Sequence, residues 1–330
     1  MNKFKIKKPY TYLINLVAII ILALVLQILT ANGVIDRYFQ GIIMLICINI
    51  ILAVSLNLCV GFLGEIALGH AGFMAVGAYA AALFVKNVNM ANEARFIISL
   101  IIGGLVASVF GLLVGIPALR LRGDYLAIIT LGFGEIIRVI IENVKFTGGA
   151  MGLRSIPKLA TMNNVFIITV LVIIIMYTII RSRHGRAIMA VRDNYIAAES
   201  IGISSTYYKV LAFSISAFFA GVAGGIYAQY IGILGAKNFG FMKSIEILVT
   251  VVLGGMGSFT GSILSAIILT ILPEALREFN DYRMLIYSLA LIIMMIFKPS
   301  GLLGRYEFSL SRAIEKTVNF VKGRGKVIRK

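Results

Sequence analysis

Long apolar runs separated by short polar segments dominate this 330-residue chain. A helix needs about 20 predominantly apolar residues to cross a hydrocarbon core about 30 Å thick. Eight runs approach or exceed that length, at residues 13–30, 40–60, 67–85, 96–119, 125–141, 165–180, 208–234 and 282–297. The pattern therefore predicts an all-α, polytopic integral membrane protein.

A ninth run, residues 245–272, is interrupted by the sequence Gly-Gly-Met-Gly-Ser at 254–258. A helix of this length spans about 42 Å, which is less than two complete crossings need. Non-helical backbone at membrane depth must be buried in protein or line a wet cavity. We therefore expect two half-length helices that turn at the glycines, and the membrane segments then number eight long helices plus this broken hairpin, or up to ten. One long kinked helix is the alternative.

Basic residues orient the chain in the membrane. Lys and Arg number 31 against 14 acidic residues, a formal net charge of +17. When the N-terminus is placed in the cytoplasm and the spans alternate, 20 of the 31 basic residues fall in cytoplasmic segments, as the positive-inside rule expects. Both termini are then predicted to be cytoplasmic. The first run is longer than the apolar core of a signal peptide, so we interpret it as an uncleaved anchor.

Composition excludes a separate soluble domain. Apolar residues make up 60% of the chain and charged residues 14%, whereas soluble domains have about 45–50% and about 25%. Residues 1–305 are predicted to form one transmembrane domain and residues 306–330 a basic cytoplasmic tail, which either binds anionic lipid or is solvated. The basic residues lie between apolar runs rather than on one face of a soluble fold, so no nucleic-acid partner is expected.

Small residues recur at helical spacing in two of the runs. Gly103, Ala107, Gly111 and Gly115 are four residues apart, as are Ala220, Gly224 and Ala228. In lipid, such stripes let helix backbones approach closely. We expect these two helices to pack tightly, and a static packing role is favoured over sliding during transport.

Ionisable residues at membrane depth cost about 2.5–3.5 kcal/mol each on the mildest scale and are candidates for function. Glu65 and His70 lie in a glycine-rich junction between the second and third runs, and Glu135 lies within the fifth. Glu135 can pair locally with Arg138, and a hydrogen-bonded packing role is favoured for His70. The candidates for the translocation path are Glu65, His70, Gly72, Glu135, Gly254, Gly255 and Gly257.

Motifs for chemistry are missing from the sequence. It contains no G-x-x-x-x-G-K-[ST] loop, no H-E-x-x-H and no G-x-S-x-G, and these are signatures of nucleotide binding and of catalysis. We therefore expect a transport protein rather than an enzyme, with no cofactor and no metal. Its energy comes from an ion gradient, from passive flow or from a partner.

The segment between the sixth and seventh runs, residues 181–207, suggests where a partner binds. Asp193 or Asn194 can cap a short helix, Ala197 and Ala198 favour it, and Gly202 can end it. A short amphipathic helix on the cytoplasmic face would be a docking site for a soluble protein. We call residues 181–207 the coupling segment.

Five stretches in register carry a family resemblance: residues 68–79 (LGHAGFMAVGAY), 123–138 (GDYLAIITLGFGEIIR), 147–153 (TGGAMGL), 190–202 (AVRDN followed by AAESIG) and 253–258 (LGGMGS). With them the chain resembles the branched-chain amino-acid permease family, in the M-type of its two homologous membrane subunits. The resemblance implies a multi-pass protein of the prokaryotic plasma membrane that belongs to an ATP-binding-cassette importer for leucine, isoleucine and valine.

The resemblance also implies partners and roles. The partners are a second homologous permease, two cytoplasmic ATPases, an extracytoplasmic solute-binding protein and membrane lipid. The residues that would contact an ATPase are Arg192, Asp193, Asn194, Ala197, Ala198, Glu199 and Gly202. Two alternatives remain open: a permease of the same type for urea, short amides or other amino acids, and a gradient-driven secondary carrier.

Overall fold

The computed structural model describes residues 36–118, 123–298, 300–304 and 307. Eleven α-helices lie in this part of the chain, numbered here in order. They are α1 (Arg37–Asn57), α2 (His70–Asn87), α3 (Asn92–Ala118), α4 (Asp124–Asn143), α5 (Met162–Arg181), α6 (Arg183–Asp193), α7 (Tyr195–Ser200), α8 (Ser205–Ile231), α9 (Phe241–Gly254), α10 (Phe259–Ala275) and α11 (Arg283–Phe297). The predicted first span, residues 13–30, and nearly all of the predicted tail, residues 306–330, lie outside the described residues.

Every other predicted run coincides with a helix, and α1 continues as a π-helix over Leu58–Leu63. No strand occurs among the described residues, which contain one isolated antiparallel bridge between Leu153 and Leu234. Within the described part of the chain, four helices are long and apolar enough to cross a membrane: Arg37–Leu63, Asn92–Pro117, Met162–Arg181 and Ser205–Ile231. The all-α membrane class is therefore confirmed, while the full number of crossings and the location of the termini stay predictions.

Residues 41–305 form a compact unit. In its core, α2, α3 and α8 pack closely against one another. A Cβ atom added to Gly77 would lie 2.2 Å from Gly221 Cα, and one added to Gly221 would lie 2.6 Å from the Gly103 carbonyl oxygen. Three backbones therefore meet where three helices each carry a glycine. The predicted tight packing through small residues is confirmed, and α2 contributes to it as a third helix.

The interrupted run forms two helices rather than one. A Cβ on Gly254 would lie 2.5 Å from the Gly261 carbonyl oxygen, and Ser265 Oγ donates to the Thr250 carbonyl at 2.5 Å. Because these contacts pair residues at increasing distance from the turn, α9 and α10 are antiparallel. The predicted pair of half-length helices is confirmed, and a single kinked helix is wrong.

Glycine is required at the turn between α9 and α10, residues 255–258, which we call the hairpin turn. Gly255 has φ of +110° and Gly257 has φ of +87°, a backbone region that residues with a Cβ rarely adopt. Ser258 then caps α10, because its side chain accepts a hydrogen bond from Gly261 N. The motif at 254–258 thus encodes the turn itself.

Two polar contacts fix the direction of α10 against α1. Asn49 Nδ2 donates to Thr270 Oγ1 at 2.9 Å, and Asn57 Nδ2 donates to Ser262 Oγ at 2.8 Å. The residue numbers increase in opposite directions along the two helices, so α10 runs antiparallel to α1.

Candidate functional site

The coupling segment folds into α6 and α7. Asn194 caps α7, because its side-chain oxygen accepts a hydrogen bond from Ala197 N at 3.1 Å. After α7 the chain turns at Gly202, whose φ is +85° and whose amide donates to the Glu199 carbonyl at 3.0 Å. The predicted short helix and its glycine end are confirmed, and of the two candidate caps Asn194 is the one used.

One flank of α7 is apolar and exposed. Ile196 is 60% exposed and Ile201, just after the helix, is 75% exposed. Ala197 is exposed beside Ile196, whereas Ala198 is buried against the rest of the chain. Ile196 and Ile201 together give this flank an apolar surface that is available to a partner.

Glu199 links α7 to α8 within the chain. Ser205 Oγ, in the first turn of α8, donates a hydrogen bond to the Glu199 carboxylate. This contact holds the coupling segment on α8. The sequence did not indicate this contact, because the serine lies six residues further along the chain, beyond the end of α7.

Arg192 points into the protein rather than outward. Its Nη1 donates to the Gly61 carbonyl at 3.1 Å, while Nε and Nη2 donate to Asp193 Oδ1 at 3.0 and 2.9 Å. The side chain packs over Gly64, where an added Cβ would lie 2.6 Å from Arg192 Cγ. Arg192 therefore joins the coupling segment to the glycine-rich junction, and Asp193 orients its guanidinium group.

Glu65 pairs with Lys209 of α8. The Glu65 and Lys209 side chains are only 13% and 10% exposed, so this ion pair is largely desolvated. Lys209, one of the basic residues that the charge count places in a cytoplasmic segment, lies within a helix in the structure. The lysine lies in the second turn of α8 because the helix begins at Ser205, and it neutralises the buried carboxylate.

His70 begins α2 and is buried. Its Nε2 lies 2.9 Å from Ser55 Oγ, and that hydroxyl donates to the Leu52 carbonyl at 2.9 Å. Near the same end of α2, a Cβ on Gly72 would lie 2.9 Å from Gly134 Cα. His70 thus has the hydrogen-bonded packing environment favoured by the sequence analysis, and Gly72 allows α2 and α4 to approach closely.

Glu135 forms the predicted local pairs and one further contact. Arg138 Nε donates to Glu135 Oε2 at 2.6 Å, and Arg138 Nη1 donates to Glu142 Oε2 at 2.7 Å. In addition, Phe241 N donates to Glu135 Oε1 at 2.7 Å. Gly240, which precedes α9, has no side chain to cap that helix. The Glu135 carboxylate takes over the capping role, and its negative charge is favourable at a helix N-terminus.

Asn57 is a central residue that the sequence analysis missed. It is fully buried, and its Oδ1 accepts from Gly257 N at 2.9 Å. Its Nδ2 donates to the Ser258 carbonyl at 2.9 Å as well as to Ser262. A buried amide needs hydrogen-bond partners, so an asparagine inside an apolar run was the signal for this contact.

The hairpin turn is also held from the C-terminal side. Leu302 N donates to the Leu253 carbonyl at 2.7 Å, and a Cβ on Gly255 would lie 2.4 Å from the Gly304 carbonyl oxygen. The segment 300–304 therefore packs directly on the turn and satisfies a carbonyl at the end of α9.

The predicted site residues outside α2 and α4 thus lie in one region. The coupling segment, the junction at residues 58–65, the first turns of α8 and the hairpin turn are joined by direct contacts. Glu135 of α4 lies elsewhere, where its carboxylate contacts the first residue of α9. Among the described residues, no group of three or more His, Cys, Asp or Glu side chains is arranged to hold a metal ion.

Comparisons with known proteins agree with the resemblance. The family model described as "Branched-chain amino acid transport system / permease component" matches residues 38–297. The chain is 39% identical over 323 residues to the high-affinity branched-chain amino acid transport system permease protein LivM of Escherichia coli K12, covering 87% of this chain and 74% of that protein.

Two more distant relatives also match. The permease protein LivH of the same organism is 33% identical over 147 residues, covering 43% of this chain and 47% of LivH. The probable permease protein LivM of Methanocaldococcus jannaschii is 23% identical over 265 residues, covering 71% of this chain and 77% of that protein. No solved structure matches the chain. The family match and the long alignment with the Escherichia coli LivM protein show that this chain belongs to the branched-chain amino acid transport permease family.

Proposed function

We propose that this chain is the membrane permease subunit of an ATP-binding-cassette importer for leucine, isoleucine and valine. The observation that carries the proposal is the 39% identity to a branched-chain amino acid permease over most of the chain. The sequence has no P-loop, so ATP hydrolysis is assigned to partner subunits. This chain contributes the translocation path and the surface on which the ATPases dock.

The proposed assembly contains a second, homologous permease, two cytoplasmic ATPases and an extracytoplasmic solute-binding protein. Similarity to both LivM and LivH supports a related permease as the membrane partner. The exposed apolar flank of α7 supports a soluble protein that docks on the coupling segment.

We propose a topology with both termini in the cytoplasm, eight long spans and the broken hairpin, in the plasma membrane of a prokaryote. Contacts near the predicted inner face support it: Arg192 of the coupling segment reaches Gly61 in the short junction between the second and third runs, and Asn57 at the end of α1 reaches the hairpin turn. The predicted external segment 142–163 also contacts the end of the run at 208–234, since Leu153 pairs with Leu234. The antiparallel course of α10 against α1 supports a hairpin that enters and returns on one side.

For the translocation path, we propose that Gly254, at the end of α9, and Gly255 and Gly257 of the hairpin turn border the route of the solute. Glu65, His70 and Glu135 then stabilise the walls of the path, since each is held by partners within the chain. A path on which these three ionisable residues have partners suits the apolar side chain of the proposed solutes.

Reconstituted uptake tests the proposed function. The chain is assembled with its second permease, both ATPases and the binding protein in liposomes, and uptake of labelled leucine is measured. We expect uptake to require ATP and to be competed by unlabelled leucine, isoleucine and valine but not by urea. Competition by urea alone would favour the related permease for small polar solutes, and uptake without the ATPases would favour a gradient-driven carrier.

Replacing Ile196 with aspartate tests the docking surface. Burying an isoleucine contributes enough free energy to alter binding of a partner by about tenfold or more. We expect Ile196→Asp to lower the recovery of ATPase with the permease by at least that factor, and ATP-driven uptake with it. Because Ile196 is exposed, the fold of the chain should not change.

Ile233→Asp is the matched control. Ile233 is 53% exposed, and it follows the end of α8 that is opposite to the coupling segment. This variant should retain ATPase and uptake. Equal losses in both variants, or full ATPase recovery with Ile196→Asp, would contradict docking on α7.

A further inference from the structure

Arg192 lies at the end of α6, where it connects two parts of the chain. The guanidinium group binds Asp193 of its own segment and the Gly61 carbonyl of the junction. The side chain is only 21% exposed, and its stem occupies the space above Gly64. Most of this arginine is therefore unavailable to a partner protein and is committed to a contact inside the chain.

Gly61 in turn contacts the hairpin turn. A Cβ on Gly61 would lie 2.2 Å from Gly257 N and 1.9 Å from Asn57 Oδ1, so the backbones of the junction and the turn touch. Asn57 fastens them with one hydrogen bond accepted from Gly257 N and one donated to the Ser258 carbonyl. Gly61 and Asn57 thus connect Arg192 to the hairpin turn by direct contacts.

Both sides of this contact have backbone that is not α-helical. Leu58–Leu63 is a π-helix, a rare conformation that is found frequently at functional sites. The hairpin turn contains two residues with positive φ. Such segments absorb backbone rotations that a regular helix resists. An open depression beside the contact, lined among others by Val60, Ile66 and Met256, leaves room for a displacement without repacking of the core.

We propose that Arg192 is a positioning residue of the transport cycle, which transmits movement of the coupling segment through Gly61 and Asn57 to the hairpin turn. The inference rests on the proposed function, because it requires an ATPase that moves α6 and α7. It goes further by assigning the route inside the membrane domain. Arg192 then displaces the junction through its hydrogen bond to the Gly61 carbonyl, while Ile196 and Ile201 bind the ATPase.

Two measurements on the complete transporter test the proposal. The first is the ratio of leucine molecules taken up to ATP molecules hydrolysed. Losing one hydrogen bond that involves a charged group corresponds to a change of about tenfold, so we expect Arg192→Ala to lower this ratio by about that factor. Arg186→Ala is the matched control, because the guanidinium group of this exposed arginine of α6 donates to the Arg181 carbonyl within the same segment.

The second measurement follows the hairpin turn directly. Met256 is 47% exposed, and the two native cysteines, Cys47 and Cys59, are buried. A Met256→Cys reporter can therefore be labelled with maleimide in nanodiscs. We expect ATP to change the labelling rate when Arg192 is present, and to leave the rate unchanged in the Arg192→Ala background. A purely structural role for Arg192 would not remove this response.

The outcomes separate the inference from the proposed function. If the transporter with native Arg192 shows no ATP-driven leucine uptake, the proposed function is wrong. If it shows uptake, and Arg192→Ala keeps the normal ratio or the normal ATP response, the link through Arg192 is wrong. An equal loss of ratio in Arg186→Ala also overturns the link. Where Arg192→Ala does not assemble, Arg192→Lys gives the same test. Lysine lacks the planar guanidinium group that donates hydrogen bonds to Gly61 and Asp193 at the same time.

Discussion

Replacing Lys209 with methionine is expected to destabilise the protein by about 3–5 kcal/mol, the cost of removing one partner from a buried ion pair. The Glu65 carboxylate would keep its position with 13% of its side chain exposed and without its counter-charge. Among the described residues, Lys209 is the cation in ion-pair contact with this carboxylate. The free energy of unfolding, measured by denaturant titration in detergent micelles, should fall accordingly.

Lys243→Met is the matched control for this variant. It removes the same charge by the same substitution, but its partner Glu246 is 53% exposed, and exposed ion pairs contribute about 0.2–1 kcal/mol. The double variant Lys209→Met with Glu65→Leu should recover most of the stability, because an apolar pair of similar volume often replaces a buried ion pair without loss. Equal effects of the two lysine variants, or no recovery in the double variant, would show that the pair does not stabilise the fold.

The helices of this protein were predictable because lipid constrains them strongly. Apolar runs of sufficient length located every described membrane helix, and the glycines at 254–258 located the break between α9 and α10. Helix ends were less accurate: α8 begins at Ser205, where the Ser204 side chain caps it, rather than at residue 208. Capping depends on single polar residues that hydropathy does not detect.

The contacts of the site were predictable only where they are local. The pairing of Glu135 with Arg138 and the capping of α7 by Asn194 follow from spacings of three residues. The pairs Glu65 with Lys209, Asn57 with Gly257 and Arg192 with Gly61 join positions more than a hundred residues apart. The sequence indicates that a buried polar group needs a partner, but the packing of the helices decides which partner it finds.

Replacing Gly77 with alanine is expected to have a comparably large effect at the centre of the bundle. The added Cβ would lie 2.2 Å from Gly221 Cα and 2.4 Å from the Gly221 carbonyl oxygen. Both atoms belong to the backbone of α8, so a rotamer change cannot relieve the contact. The helices α2 and α8 must separate, and we expect a loss of about 3 kcal/mol, at the upper end of the range for overpacked cores.

Gly132→Ala separates this packing effect from the general consequences of changing a helical glycine. Gly132 lies in α4, and a Cβ there would have no neighbour within 4 Å. Because alanine favours helix over glycine by about 1 kcal/mol, this variant should unfold at the same or a higher denaturant concentration. The two substitutions are chemically identical, so effects of opposite sign can come only from the contact of α2 with α8. Similar stability for Gly77→Ala and Gly132→Ala would mean that the three-glycine contact is looser than described, and that α2, α3 and α8 can separate at little cost.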